Sequence, residues 1–175
     1  MIVYSSHLCK YNIKLNGVIR INVAWIKSYS DLLEILDNTK QDIFLDYPKG
    51  RTKPPRPTMH WKTILTLLKS NKYLQIKYFA ISNVESVGRI STIRKVIPTN
   101  IQLVPKIETV IGVKRVVELC KACKTNLIML DKEDLYTDTN RNQKLFEGCI
   151  QFCKELCKKN NIKILELKGV VFIDE

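Results

Sequence analysis

Short apolar runs alternate along the chain with longer segments of helical periodicity. The runs consist of β-branched and other apolar residues between polar turns, which predicts strands at residues 17–24, 42–46, 76–82, 101–105, 126–130 and 162–167. In the segments between them the apolar residues recur every three or four positions, which predicts helices at 30–39, 58–70, 85–97, 109–123 and 142–159. The pattern is therefore a repeated strand and helix unit.

The spacing of the runs predicts a parallel sheet of the α/β class. Their first residues lie 25 to 36 residues apart, which is the length of a strand with its crossover helix. A doubly wound open sheet and a (β/α)₈ TIM barrel both fit this spacing. No GxGxxG or GxxxxGK[ST] loop is present, which disfavours the nucleotide-binding open sheets. Because a full barrel usually needs about 250 residues, a barrel here is expected to be short or incomplete, unless residues 1–16 and 168–175 supply abbreviated units.

Composition predicts one ordered domain. The chain has 175 residues, of which 45% are hydrophobic and 26% charged, so we expect a single core over residues 1–175. No apolar run approaches the roughly 20 residues of a membrane span. The amino-terminal residues also lack the basic and then apolar layout of a signal peptide. We therefore expect a cytoplasmic protein that does not enter a membrane.

A net charge of +12 favours anionic partners. The densest basic segment is KGRTKPPRP at 49–57, shortly after the predicted strand at 42–46. Aromatic residues are not interleaved with the basic ones, as stacking on single-stranded nucleic acid would require. We therefore expect a small anionic metabolite as partner and not a nucleic acid. The segment 49–57 is expected either to close over that metabolite or to carry ordinary solvated charge.

Six cysteines in a chain without a secretion signal are expected to be reduced thiols. Cys120 and Cys123 form a CxxC, and a second group recurs every fourth residue at Cys149, Cys153 and Cys157. Both groups fall inside predicted helices, whereas a redox CxxC opens a helix. No second CxxC or paired histidine completes four zinc ligands. The cysteines are therefore predicted to pack in the core, with a zinc site as the alternative.

Polar residues cluster near the ends of the predicted strands, where α/β proteins bind their ligands. They are Arg20, Asn22, Asp46, Ser82, Lys106, Glu108 and Asp134. The acid pair Glu108 and Asp134 has the ligand chemistry of a Mg²⁺ or Mn²⁺ site. With Arg20 and Lys106 as basic partners, such a site would favour an enolate. The alternative is structural: Asp134 caps a helix and Glu108 pairs with a lysine.

Five motifs along the chain, in the order in which they occur, resemble those of the pyruvate- and phosphoenolpyruvate-binding TIM barrels. The resemblance covers residues 17–167 and is nearest to pyruvate kinase, with citrate-lyase-type and hydroxy-keto-acid aldolases as further relatives. The motifs are VIRIN at 18–22, FLDYPKG at 44–50, ISNVES at 81–86, PKIET at 105–109 and IMLDKEDL at 128–135.

The resemblance implies a role for each candidate residue. It makes Lys106 the catalytic cation, which stabilises a phosphoryl group or an enolate, and makes Glu108 and Asp134 the ligands of Mg²⁺ or Mn²⁺. Arg20 then binds substrate and contributes to catalysis. The further implied substrate contacts are Asn22, Asp46, Ser82 and Lys132. Asn22 and Asp46 correspond to the potassium side of the kinase site, but Ala24 and Trp25 replace the kinases' serine and histidine and argue against potassium.

The resemblance implies a divalent-metal-dependent enzyme that acts on phosphoenolpyruvate, pyruvate or a related small 2-keto acid. The reaction would be that of a phosphotransferase or of an aldolase or lyase. The kinases' inserted lid domain has no room between Asp46 and Lys77, and the ATQ motif is missing from ILELKGVVF at 164–172. The alternative is therefore a degenerate, non-catalytic barrel with a regulatory or scaffolding role. We also expect the strand edges of a short barrel to be covered, by a homo-oligomer or by a strand from residues 1–16.

Overall fold

The computed structural model describes residues 2–6, 16–48, 55–70 and 72–168. Seven strands are found there: β1 (Ile2–Ser5), β2 (Val18–Asn22), β3 (Ile43–Asp46), β4 (Ile76–Ile81), β5 (Gln102–Ile107), β6 (Leu127–Leu130) and β7 (Lys163–Lys168). The helices are α1 (Tyr29–Asn38), α2 (Trp61–Lys69), α3 (Val87–Arg94), α4 (Val110–Lys114), α5 (Val116–Cys123), α6 (Lys132–Asp138) and α7 (Gln143–Lys159). A short 3₁₀ helix, Val23–Trp25, follows β2.

The strands follow the order of a β/α barrel. They are parallel neighbours in chain order, from β1 to β7, and β7 pairs in turn with β1. The fold is therefore a short (β/α) barrel of seven strands, as predicted. Each of the six predicted strands is found, and β1 confirms that residues 1–16 supply a further strand. It pairs with β2 on one side and with β7 on the other.

The backbone divides into two compact units, which are described separately. The first comprises residues 1–79 with 166–175, and the second residues 80–165. In the first unit, β2 and β3 align so that Arg20 lies beside Phe44 and Asn22 beside Asp46. The alternate residues Ile19 and Ile21 are fully buried in its core. Residues two apart share one face of a strand, so Arg20 and Asn22 lie on the face opposite to these isoleucines.

In the second unit, β5 is buried almost along its whole length and α5 packs against it. α5 also contacts α3 and α7. Leu119 and Cys120 on α5 and Cys153 on α7 contribute buried side chains to this core. In this unit α5 therefore covers β5, as expected for a parallel strand with an apolar outer face.

Two helical segments differ from the predicted pattern. The helix predicted at 109–123 is broken at Arg115, whose backbone (φ −103°, ψ 9°) leaves the helical region between α4 and α5. The Arg115 guanidinium donates to the Glu85 carbonyl oxygen at 2.7 Å, which fixes the residue at this break. The short helix α6 was not predicted, because Leu135 is its one buried residue and no helical periodicity shows in the sequence.

The cysteines of the described residues are buried free thiols, as the core interpretation predicts. Burial raises the pKa of Cys120 and of Cys123 to about 12. On α7, the hydrogen bond with Cys157 and burial raise the pKa of Cys153. None of these thiols belongs to a group of three potential metal ligands within the described part of the chain.

No helix among the described residues combines the length and the apolar character needed to cross a membrane.

Candidate metal centre

Lys106 and Glu108 lie at the carboxyl end of β5, in the second unit. Since they are two residues apart, they project from the same face of the strand. Lys106 is 1% exposed and Glu108 5% exposed, and Lys106 Nζ lies 2.7 Å from Glu108 Oε1. The buried ammonium and the buried carboxylate therefore neutralise each other, as buried charges must.

Asp131 joins this pair from the next strand. It directly follows β6, and its Oδ2 lies 2.9 Å from Lys106 Nζ. Asp131 is also the N-cap of α6, because its Oδ1 accepts the Asp134 backbone N–H at 3.2 Å. An N-cap aspartate satisfies a helix N–H that would otherwise lack a partner. The cap therefore places Asp131 and Asp134 together in the first turn of α6.

The three carboxylates converge at one place. Glu108, Asp131 and Asp134 each offer a carboxylate oxygen, and these oxygens lie within 4.8 Å of one another. Hard divalent cations such as Mg²⁺ and Mn²⁺ take carboxylate oxygens as ligands. In the described part of the chain, this is the one group of three histidine, cysteine or acidic side chains that is placed to hold a metal ion.

The surroundings of Glu108 favour an added cation. Burial raises the pKa of Glu108 above its usual value, while Lys106 and the backbone N–H of Asn83 lower it in part. The Asn83 N–H donates to Glu108 Oε2 at 2.5 Å. Burial penalises the ionised form of the carboxylate, and a nearby cation stabilises that form.

Ser82, next to Asn83 in the chain, carries an unsatisfied hydroxyl. The side chain is 4% exposed, and its Oγ has no hydrogen-bond partner among the described residues. A buried polar atom without a partner costs free energy unless a water, an ion or a ligand satisfies it. Ser82 therefore places a buried hydroxyl at the end of β4, one residue before the Asn83 N–H that contacts Glu108.

The remaining predicted site residues of the first unit form an ion pair and a helix cap. Arg20 Nε donates to Asp46 Oδ2 at 3.1 Å, and its terminal nitrogen lies 2.5 Å from the same oxygen. Asp46 is fully buried, so the guanidinium compensates a buried charge. The Asn22 side chain accepts the Ala24 N–H at 3.1 Å and caps the 3₁₀ helix.

The structure thus brings together the predicted residues Lys106, Glu108 and Asp134. Glu108 does pair with a lysine, and the helix cap is supplied by Asp131 and not by Asp134. Lys132 lies on α6 with an exposed side chain. Residues 49–54 of the basic segment 49–57 lie outside the described residues, and Arg56 is exposed.

Sequence reasoning missed Asp131 as a member of the cluster. Two signals in the sequence identify it. It is the first polar residue after the apolar run 126–130, at the strand end where ligands bind. It also begins a D-x-x-D pattern, which is typical of a helix N-terminus and brings two acids into one turn.

Solved structures share this fold at low sequence identity. A pyruvate kinase from Cryptosporidium parvum matches with a TM-score of 0.67 and 12% identity, over 93% of this chain and 56% of the kinase. CitE from Mycobacterium tuberculosis, solved with magnesium, acetoacetate and coenzyme A, matches with a TM-score of 0.62 and 12% identity, over 95% of this chain and 64% of CitE. Citrate synthase SbnG matches with a TM-score of 0.61 and 8% identity, over 93% of this chain and 75% of SbnG.

The comparison confirms the resemblance to the phosphoenolpyruvate- and pyruvate-binding barrels at the level of the fold. The chain spans little more than half the length of the pyruvate kinase that it matches. No protein-family model and no curated protein sequence matches the chain.

Proposed function

We propose that this chain is a divalent-metal-dependent enzyme of the phosphoenolpyruvate- and pyruvate-binding barrel class. Its substrate would be a small 2-keto acid or enol phosphate. The observation that carries the proposal is the cluster of Glu108, Asp131 and Asp134, whose carboxylate oxygens lie within 4.8 Å of one another beside the buried Lys106. The cluster lies at the carboxyl ends of β5 and β6, the side on which barrel enzymes carry their active sites.

The donor set fits a magnesium or manganese ion. Three carboxylates supply hard oxygen ligands, and Mg²⁺ typically takes only a few of these and leaves other positions for water or substrate. Ser82, one residue before the Asn83 N–H that contacts Glu108, adds a buried hydroxyl at the end of β4. CitE, which shares the fold, was solved with magnesium and acetoacetate, a small keto acid. These observations support the same ion and a small keto acid as ligand here, and the 2-keto position of the proposed substrate rests on the resemblance.

When bound, the divalent ion would polarise the keto oxygen of the substrate. Glu108, Asp131 and Asp134 would hold the ion. Lys106 contacts two of these carboxylates, keeps them placed, and offsets negative charge that develops on an enolate oxygen. In the first unit, the pairing of Arg20 with Asp46 orients the guanidinium, and the binding of an anionic group by Arg20 stays a prediction from the resemblance.

A non-catalytic metal-binding barrel is the second candidate. It is favoured by Lys106 itself, whose ammonium already contacts the carboxylates of Glu108 and Asp131. A lysine held in this way contributes to the stability of the cluster even without a substrate. The two candidates agree on metal binding and differ in whether a bound keto acid loses a proton.

Metal binding tests the part that both candidates share. We expect the full chain to bind Mn²⁺, measured as loss of the free-ion signal in electron paramagnetic resonance, and to melt at higher temperature with the ion present. Glu108→Gln and Asp134→Asn should weaken binding about tenfold or more, because each removes one charged ligand. Glu133→Gln, on the exposed face of α6, is the matched control and should bind as the unchanged chain does.

Enolate formation separates the two candidates. An enzyme that forms a pyruvate enolate exchanges the methyl protons of pyruvate with solvent deuterium, which nuclear magnetic resonance detects directly. We expect exchange that requires Mg²⁺ or Mn²⁺ and that is lost in Glu108→Gln. Metal binding without any exchange, for pyruvate and for other small 2-keto acids, would favour the non-catalytic barrel. Absence of metal binding would overturn both candidates.

A further inference from the structure

We propose that Asp131 makes this site selective for singly charged 2-keto acids over phosphorylated substrates. The inference rests on the proposed metal site and narrows its substrate class. The sequence predicts Glu108 and Asp134 as metal ligands, and Asp131 is the third acid of the cluster. Asp131 adds one negative charge next to Lys106. The Asp131 charge therefore sets the net charge that the site presents to a substrate once a divalent ion is bound.

The charges of the cluster cancel when a divalent ion is present. Glu108, Asp131 and Asp134 contribute three negative charges, and Lys106 contributes one positive charge. The cluster is therefore doubly negative by itself and neutral with a divalent ion. Without the Asp131 carboxylate, the loaded cluster would carry one net positive charge, which would attract a multiply charged anion.

The flanking charges on α6 do not make this balance more positive. Lys132 and Glu133, between the two aspartates on α6, are exposed and of opposite sign, so their fields oppose each other and are screened by salt. Asp138, at the other end of α6, accepts the Val110 N–H at 2.8 Å close to the end of β5 and adds a further negative charge. Helix α6 thus adds no net positive charge next to the cluster.

Lys106 is also committed to the carboxylates. Its ammonium has three N–H donors, and its nitrogen lies 2.7 Å from Glu108 and 2.9 Å from Asp131. A transferring phosphoryl group needs cations that are directed at its oxygens. A 2-keto acid needs less compensating positive charge, because it has one carboxylate. Its keto oxygen and one carboxylate oxygen can chelate the metal ion and add a single negative charge to a neutral site.

The charge of Asp131 can be removed without removing its helix cap. Asn is as good an N-cap as Asp, so Asp131→Asn keeps an oxygen for the Asp134 N–H and keeps the side-chain size. Asp131→Ser is a second variant that also retains a capping oxygen. Glu133→Gln removes the same charge from an exposed position on α6 and is the control for a general change of net charge.

The experiment compares pyruvate with phosphoenolpyruvate as ligands of the full chain at saturating Mn²⁺. Dissociation constants are measured by isothermal titration calorimetry for the unchanged chain and the three variants. We expect the unchanged chain to bind pyruvate more tightly than phosphoenolpyruvate. The ratio of the two affinities should move toward phosphoenolpyruvate by about tenfold or more in Asp131→Asn and Asp131→Ser, since one unit charge acts on a ligand of higher charge. In Glu133→Gln the ratio should stay unchanged.

Each other outcome overturns the inference in a recognisable way. Tighter binding of phosphoenolpyruvate by the unchanged chain would contradict the charge balance. Equal weakening of both ligands in the Asp131 variants would reduce Asp131 to a metal ligand without a role in selectivity. If the unchanged chain does not bind Mn²⁺ at all, the proposed function fails and the selectivity fails with it, and the ion-binding measurement shows this before any ligand is added.

Discussion

Lys106 illustrates how single residues set the character of the candidate site. A lysine that is 1% exposed is unusual, and two carboxylates at 2.7 and 2.9 Å compensate its charge. Loss of either partner would leave a buried charge partly uncompensated, which costs several kcal/mol in comparable pairs, about 3–5 kcal/mol. The residues that bear on metal chemistry are therefore also residues that hold β5 and β6 together.

At the scale of residues, a site residue could be predicted from the sequence when its role follows from its own position in a strand or helix. A role that depends on a contact with a distant residue could not be predicted. Glu108 and Asp134 were identified because both lie near the ends of predicted parallel strands, where α/β proteins bind their ligands, and because both fall in motifs of the resemblance. The sequence places Asp131 at a strand end and at a helix N-terminus, but its contact with Lys106 is known only from the three-dimensional structure. The unpartnered hydroxyl of Ser82 is likewise a property of packing and leaves no mark in the sequence.

The CxxC thiols provide a prediction for single residues. With a pKa of about 12, Cys120 and Cys123 are thiolate in only about one molecule in ten thousand at pH 8. We expect both to resist iodoacetamide in the native protein at pH 8 and to react fully in guanidinium chloride, as mapped by peptide mass spectrometry. Rapid native alkylation would contradict burial. Protection that disappears on addition of a chelator would instead indicate the zinc site.

At the scale of elements, strands were predicted better than helices. A buried parallel strand is a continuous apolar run, and each of the six predicted runs contains an observed strand. Helix boundaries depend on contacts that are remote in sequence. Arg115 interrupts the segment 109–123 through its bond with the Glu85 carbonyl oxygen, which no periodicity can indicate. The seven residues of α6 are too few and too polar for a periodic signal.

Helix α7 gives a prediction for an element. Gly148 lies in its interior, and a Cβ built on this residue meets nothing within 4 Å. Gly148→Ala should therefore raise the free energy of unfolding by about 0.5–1 kcal/mol, because alanine loses less backbone entropy in a helix than glycine. Urea denaturation monitored by circular dichroism measures the change.

Gly112→Ala is the matched control for Gly148→Ala. A Cβ on Gly112 would lie 3.3 Å from Thr109 Oγ1 and 3.5 Å from the Val84 carbonyl oxygen. The Thr109 hydroxyl caps α4 by accepting the Gly112 N–H at 3.0 Å, so crowding there opposes the gain in helix propensity. An equal gain from both substitutions would show that local space does not decide the outcome.

At the scale of the whole molecule, the strand order is the main feature that the sequence left open. Regular spacing predicted parallel strands, but an open sheet and a barrel share the same βα repeat. The pairing of β1 with both β2 and β7 decides for the barrel order, and it joins segments that lie far apart in the chain. Local patterns carry no information on such pairings, and β1 has one buried residue among its four. Homo-oligomerisation and the binding of an anionic metabolite stay predictions.

Strand β1 provides the prediction at this scale. Val3 is 3% exposed, between β2 and β7 in the strand order. Val3→Thr keeps the shape and the β-branched character of the side chain but buries a hydroxyl, so we expect a loss of about 1–3 kcal/mol in the free energy of unfolding. Ile2→Thr, at a residue that is 41% exposed, should change stability by no more than about 0.5 kcal/mol. Similar urea midpoints for the two variants would show that β1 contributes little to the fold.

Asp131 contacts both the Asp134 N–H and the Lys106 ammonium, and this affects how the candidate site binds a ligand. Helix ends open more easily than helix centres, but opening of the first turn of α6 would remove Asp131 from both the Asp134 N–H and the ammonium of Lys106. That turn is therefore anchored to a buried lysine on β5. Its carboxylates are ordered during folding, so an arriving ligand meets a preorganised site and loses no affinity to the entropy of arranging it.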